Sequence, residues 1–555
     1  MQPDSSKTDK SSSSTAFNRQ LLQTYIALDN WHKFRLRLFV EGIFVGILGG
    51  LAISLFRFLL GEAEKYRIFL YNTYIIPGFS AGDFKPLLFW LAILAIAGLA
   101  LYGMGRYAPE AGGSGIPQVK GVILGVMRMR WIRILWVKIL AGAVGIGAGL
   151  SLGREGPSIQ IGAVAAQGMS RLLGRTRMEE RYLITSGASA GLAAAFNAPL
   201  AGMMFALEEL HRNFSGAVLL PTMTSAITAT IVTRFFFGTN TSFTITHLIP
   251  VPANHLGYVV ILAIASGFAG IFFNWGLLNI SKFYNLPIFR NNFMKIAFAL
   301  LSACFLGFTL PDVLGGGNFL VDKLAEYPYT LSMILLLFVG KYIFTLISYG
   351  CGVPGGFFLP LLVIGALLGA AEGRVMVMMG LITDIYIPNI VIIGMVSLFA
   401  ASVRSPITGT LLILEMTGDF GHLMSLALAS AVAYIVAELL HGEPIYDSLL
   451  KRSLASHPDK KAEEQRTIVE VPIASGSILE NKPLSRVPHL KQTVVVNVKR
   501  EGQNMIPDPE TVLKAGDFIY VLTAAKNAER LQKLGEEQLP KDHIRKIGSS
   551  RFFVG

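Results

Sequence analysis

Phe196-Asn197-Ala198-Pro199-Leu200-Ala201-Gly202 runs on through five residues to Glu208, and Val403-Arg404-Ser405-Pro406-Ile407-Thr408-Gly409 runs on through five residues to Glu415. Both stretches carry the pattern P-x-x-G-x5-E. Upstream of each lies a glycine-rich break followed by Ile-Gly-Ala: Gly153 to Gly156 then Ile161-Gly162-Ala163, and Gly352 to Gly356 then Ile364-Gly365-Ala366. The same features recur in the same order, so the chain is built of two related halves. Paired interruptions at matching positions of two membrane-embedded halves point to a binding site at the repeat interface, near the bilayer midplane.

Composition supports a membrane setting. Of 555 residues, 52% are hydrophobic and only 15% charged, against about 45–50% and about 25% in soluble chains. Apolar stretches long enough to cross a bilayer are read at 38–60, 86–105, 134–152, 216–237, 257–280, 293–310, 331–350, 388–403 and 422–440. Between them lie shorter apolar pieces interrupted by Gly and Pro, at 114–126, 155–173, 187–209, 355–378 and 405–417. A helix broken inside a bilayer exposes backbone groups, which only protein or a water-filled cavity can satisfy.

The net charge of +12 does not indicate nucleic acid. The basic residues flank apolar runs, as at Lys33, Arg35, Arg37, Arg128, Arg130 and Arg133, a distribution that orients membrane proteins and suits anionic lipid surfaces. Cys304 and Cys351 imply no disulfide framework, and the nine histidines show no metal-ligand spacing. Residues 1–16 are Ser- and Lys-rich without an apolar centre and read as a disordered cytosolic tail rather than a signal peptide. The divisions expected are a tail and amphipathic lead-in over 1–36, a membrane body over 37–452, a linker over 453–466, a small α+β domain over 467–535 and a charged tail over 536–555. Thr493–Lys499 and Phe518–Leu522 predict strands in the small domain, and Ala525–Leu534 predicts a helix. The fold class is thus mostly α, two inverted-repeat halves with broken helices, with a cytosolic α+β domain appended.

Three breaks carry the chemistry: Gly113-Ser114-Gly115-Ile116-Pro117, Gly153-Arg154-Glu155-Gly156-Pro157 and Gly355-Gly356-Phe357-Phe358-Leu359-Pro360. Glycine lets the backbone leave helical geometry, and proline restarts a helix where its missing N–H costs nothing. Helix starts gather unpaired N–H groups at a positive dipole end. Several converging at mid-membrane hold an anion without a full counter-charge, which suits an ion that must leave again. Ser114 and Tyr446 add hydroxyl donors; their plainer readings are a serine helix cap and an interfacial tyrosine anchor.

Glu155 is a carboxylate within an apolar, glycine-rich stretch, and an ionisable group at bilayer depth is a functional hypothesis by default. One reading is an ion pair with Arg154. The other is a side chain that competes with the anion for the same donors and so couples anion passage to protons. Glu208 and Glu209 end an apolar helix, as a solvated helix end or as a second proton station. Glu415 stands at the repeat position of Glu208, so those two also read as structural.

Together these residues resemble the CLC family of chloride channels and transporters. The resemblance covers about residues 35–450 and rests on the three breaks and Tyr446 standing in the family's order. It implies a homodimer with one anion pathway per subunit, in the plasma membrane of a bacterium, with both termini cytosolic. By that resemblance Ser114 and Tyr446 bind the central chloride through hydroxyls, and the main-chain N–H groups of Phe357 and Phe358 complete the site beside Gly115 and Ile116. Glu155 is then the external gating glutamate, framed by Arg154 and Gly156, and Glu209 matches the internal proton-transfer glutamate of the exchangers. The expected activity is exchange of chloride for protons, since passive channels of the family usually lack an acid at the Glu209 position. Serine at 114, where nitrate-selective members carry proline, favours chloride.

The C-terminal domain resembles the TrkA-C subdomain of potassium-conductance regulators through Ile478–Leu484, Val494–Arg500, Pro507 and Leu513–Asp517. Such modules pair across a two-fold axis, and some bind small ligands, cyclic di-AMP among them, between the copies. The domain therefore reads either as a ligand-responsive regulator or as a dimer stabiliser. The rival functions are a passive chloride channel and a nucleotide-sensing membrane protein. No nucleophile–base pair or metal-ligand cluster in the spans indicates an enzyme or a metal site, and chloride and protons are the substrates expected beside membrane lipids.

Overall fold

The computed structural model describes residues 9–212, 214–243, 245, 248–252, 255–326, 329–456, 466–474, 476–486, 493–500, 503–524 and 527–536. They divide into two compact units: the residues up to Ile116 with Trp131–Ile445, and Pro117–Arg130 with the residues from Tyr446 onward.

In the larger unit nine helices, among the described residues, are long and apolar enough to cross a membrane. Eight answer to stretches read from the sequence. The stretch at 134–152 instead forms the shorter helix Trp131–Gly147, which gives way to an irregular segment containing Gly149 at φ 103°. The piece at 355–378, read as interrupted, yields the span-length helix Phe358–Met378. The first helix starts at Asp9 and continues to Leu70, so residues 9–16, expected as disordered tail, are helical.

The repeat takes physical form as two packed helix pairs. Glu155–Leu172 lies against Arg177–Phe196, and Phe358–Met378 against Ile387–Val403. Gly162 faces Gly187 and Gly365 faces Gly394; at each, a Cβ would meet the facing backbone carbonyl. The Ile-Gly-Ala motif therefore marks a close backbone approach, where only a hydrogen fits. All 17 residues of Ile387–Val403 are buried, the condition that a helix apolar on every face satisfies.

A further matching pair escaped the sequence reading. Lys138, wholly buried on Trp131–Gly147, donates from Nζ to the carbonyls of Ala111 (2.8 Å) and Gly113 (2.7 Å). Lys341, wholly buried on Leu331–Gly350, donates to those of Val313 (3.0 Å) and Gly315 (2.8 Å). Each ammonium pins a loop that opens with a short 3-10 turn, Pro109–Ala111 or Pro311–Val313. A buried ammonium needs such oxygen partners, so these lysines fix the irregular backbone that precedes the helix starts.

In the smaller unit, Lys120 pairs with Asp447 across the helices Ile116–Leu124 and Ile445–Ser456. The second helix extends four residues into the stretch expected as linker. Beyond it, an antiparallel sheet has the order β1-β4-β2-β3, with β1 Arg466–Pro472, β2 Val494–Arg500, β3 Gln503–Met505 and β4 Phe518–Ala524. β2 and β4 lie where the sequence predicts strands; β1 was not foreseen. The helix expected over 525–534 is found at Ala528–Glu536. Val469, Val471, Val498, Ile519, Val521, Leu531 and Leu534 form one core. Asp517 is buried, with its carboxylate taking bonds from Arg500 Nε (2.8 Å), Arg500 Nη2 (2.7 Å) and the Lys514 N–H (2.8 Å). The apolar end Phe552-Phe553-Val554 lies outside the described residues.

Candidate functional site

The three glycine breaks meet. Gly153 and Gly356, one from each half, exchange main-chain bonds: the Gly153 N–H donates to the Gly356 carbonyl (2.5 Å) and the Gly356 N–H to that of Gly153 (2.9 Å). The Gly355 N–H donates to the Gly113 carbonyl (3.0 Å), which ties in the first break. Two helices start at this junction, Glu155–Leu172 with Arg154 as its cap residue and Phe358–Met378 with Phe357 in that place. Gly156 lies so near Ser114 that a Cβ would stand 2.8 Å from the Ser114 carbonyl oxygen.

Ser114 is 2% exposed, and its Oγ accepts from the Ile116 N–H at 3.3 Å. Ser114 stands one position before the cap of the helix Ile116–Leu124, so its bond ties the loop to the helix start without being a cap. The bond leaves the hydroxyl hydrogen to be donated elsewhere, since a hydroxyl accepts and donates at once. Phe357 and Phe358 are fully buried in aromatic walls, Phe357 against Tyr349 and Phe273, Phe358 against Phe196, Phe205 and Phe399. Tyr446 belongs to the smaller unit, where it is wholly buried in the first turn of Ile445–Ser456.

Glu155 is wholly buried at the first residue of its helix. Its carboxylate occupies the space a side chain on Gly153 would need, beside the Leu359 main chain, so glycine at 153 leaves room for the glutamate in this position. Arg154 Nε stands 3.9 Å from Oε1, too far for a hydrogen bond. The ion pair weighed from the sequence is a loose one, and the main-chain N–H groups of Glu155 and Leu359 are turned toward the carboxylate.

The acids that end the two repeats play the same part, and their neighbour Glu209 a different one. Glu208 accepts from the N–H groups of Ile407 (3.2 Å) and Thr408 (2.8 Å) and from Thr408 Oγ1 (2.7 Å). Glu415 accepts from the N–H groups of Leu200 (3.1 Å) and Ala201 (2.8 Å). Each glutamate caps the restarted helix of the opposite half, Pro406–Thr417 or Pro199–Phe205, where a negative group offsets orphan N–H groups and the dipole. Glu209 is turned elsewhere. It lies 1% exposed on the π-helical turn Ala206–His211, and Ser405 Oγ donates to its Oε2 at 3.2 Å. A π turn shifts the register of side chains, and such turns are frequent at functional sites.

Among known proteins, the profile described as "Voltage gated chloride channel" matches residues 93–438, and the TrkA-C domain profile matches residues 468–534. The H(+)/Cl(-) exchange transporter ClcA of Vibrio cholerae serotype O1 is 36% identical over 430 residues, covering 74% of this chain and 88% of that one.

The chain belongs to the voltage-gated chloride channel family.

The ClcA of Yersinia pestis bv. Antiqua is 32% identical over 466 residues, 82% of this chain and 94% of its own length. Among solved structures of the family, a slow cyanobacterial Cl-/H+ antiporter aligns at a TM-score of 0.71 and 33% identity, over 76% of this chain and 99% of that one. A CLC-type fluoride/proton antiporter, 23% identical with a TM-score of 0.60 over 74% and 97% of the two chains, shares the fold. The chain is therefore a multi-pass membrane protein of this family with a TrkA-C domain appended.

Proposed function

We propose that this protein exchanges chloride for protons across a bacterial inner membrane, and that Glu155 is the group both ions contend for. The observation that carries the reading is the placement of a wholly buried carboxylate at a helix start, where three glycine breaks converge without a hydrogen-bonded cation. Ionised, the carboxylate sits against the same positive helix ends that attract a halide. Protonated, it loses that attraction and yields the place. Passage of the anion then follows the proton on Glu155.

Ser114, with Gly115 and Ile116 behind it, supplies a hydroxyl donor, and the helix start at Phe357 and Phe358 supplies main-chain N–H groups. Gly156 and Arg154 frame the outer mouth. Tyr446 carries, on its motif, the second hydroxyl. Glu209 relays protons from the cytosolic side; its burial and its bond from Ser405 support that role. Glu208 and Glu415 act as helix caps and carry no proton. The protein works as a homodimer with cytosolic termini, and the paired C-terminal domains take a small ligand of the cyclic dinucleotide class that sets the exchange rate.

The test is flux in liposomes. Chloride driven down its gradient should pump protons uphill, with the pumping lost in Glu155→Ala. Chloride flux without any proton movement in the unmodified protein would instead identify a passive channel.

A further inference from the structure

A cavity of about 580 Å3 reaches Arg154 and Leu359, the neighbours of Glu155, and its walls also include Glu64, Arg67, Asp312 and Lys323. A water molecule takes about 30 Å3 of liquid volume, so the cavity has room for a chain of them up to Leu359, whose main chain borders the Glu155 carboxylate.

The charges around this cavity are not equivalent. Asp312 accepts from Lys323 Nζ at 2.7 Å, so those two offset each other. Lys341 is bound to two carbonyls. Arg67 faces Glu64 from one turn along the same helix and lies in reach of Tyr71. Arg154 acts on two acids, its Nε 3.9 Å from Glu155 Oε1 and its charge within electrostatic reach of Glu64. Glu64 is half-buried, faces Arg67, Arg154 and Lys341, and comes within 3.1 Å of where a side chain on Gly315 would stand. The charge of Glu64 also reaches Glu155, as a smaller influence than that of Arg154. A proton taken up by Glu64 therefore changes the charge that Glu155 faces.

We propose that Glu64 is the outer proton station of the exchanger, taking protons from the outer solution and passing them to Glu155. This deepens the exchange reading and rests on it. With the amino-terminus cytosolic, the later turns of the helix Asp9–Leu70, which carry Glu64, lie toward the outside. In the transfer the O–H bond on Glu64 breaks and one forms on Glu155, directly or through cavity water. The charge leaves one carboxylate and appears on the other, with Arg154 acting on both.

The experiment uses the full chain in oriented proteoliposomes, with inner pH fixed and outer pH varied. Glu64→Gln should lower coupled turnover several-fold at high outer pH. The loss should shrink as outer pH falls, because abundant protons then reach Glu155 without the relay. Glu64→Asp should restore part of the rate, and Glu64→His should move the outer-pH profile toward the titration of an imidazole. A Glu64→Gln protein slowed equally at every outer pH, or not slowed at all, overturns the proposal. If Glu64→Gln is not recovered folded, the Asp and His variants decide, and two unaltered profiles overturn it. Unmodified protein that moves no protons defeats the exchange reading first, an outcome visible before any variant is made.

Discussion

The two halves share one backbone and differ in what they hang on it. Gly153 pairs with Gly356, Arg154 and Phe357 occupy matching cap positions, and Glu155 and Phe358 begin matching helices. The same holds lower in the repeat. Glu208 and Glu415 are equivalent caps, yet the next residue is the buried acid Glu209 in one half and the buried Met416 in the other. Groups present in both halves, namely the two caps and the buried lysines Lys138 and Lys341, hold irregular backbone in place. Acids present in the first half alone are those proposed to carry protons. Symmetry builds the scaffold, and departure from symmetry marks the chemistry.

The comparison can be broken most directly at the junction. Glu155→Ala makes the first helix start as untitratable as the second, so proton pumping should fall to background while chloride continues to cross, read by paired chloride and pH electrodes. Pumping at the unmodified rate would remove the asymmetry's meaning. Glu209→Gln should likewise abolish pumping yet spare chloride flux, whereas Met416→Gln, its counterpart, should leave coupling as it was.

The shared acids should behave as twins. Glu208→Ala and Glu415→Ala each delete bonds from helix-start N–H groups to a charged acceptor, worth about 1.5–3 kcal/mol apiece. Both should lower the thermal unfolding midpoint in detergent by similar amounts. A variant of either that keeps its stability but loses coupling would move that residue into the proton path.

A smaller effect is expected outside the membrane. Burial raises the Asp517 carboxyl, but the bonds and charge of Arg500 and the Lys514 N–H outweigh it and hold the group below the usual carboxylate range. A folded value below the unfolded one, which lies near about 3.9, adds stability that is complete above the unfolded value. It is lost as pH falls through the folded value. Hydrogen exchange over β2 and β4 in the whole protein should therefore speed up only in strong acid, and Asp517→Asn should flatten that response.

Much of this was legible in the chain itself. The repeat P-x-x-G-x5-E, the glycine breaks and the apolar lengths determined a two-half membrane body, because each reports a local backbone requirement: a helix restart, a close approach or a span. Their order along the chain carried the family. What the sequence left open was partnership. It offered Glu208 as a solvated helix end, as a proton station or, with Glu415, as a structural group, and it offered Glu155 as an ion pair with Arg154 or as a competitor of the anion. Only the folded chain shows that each cap serves the opposite half, about 200 residues away, and that Arg154 stands off at 3.9 Å. The lysine pair was missed because one ammonium in an apolar helix gives no hint of the carbonyls it will meet. Local geometry is written residue by residue, whereas the neighbour of a buried charge is decided by packing between segments distant in sequence, and that packing also sets which acid can release a proton.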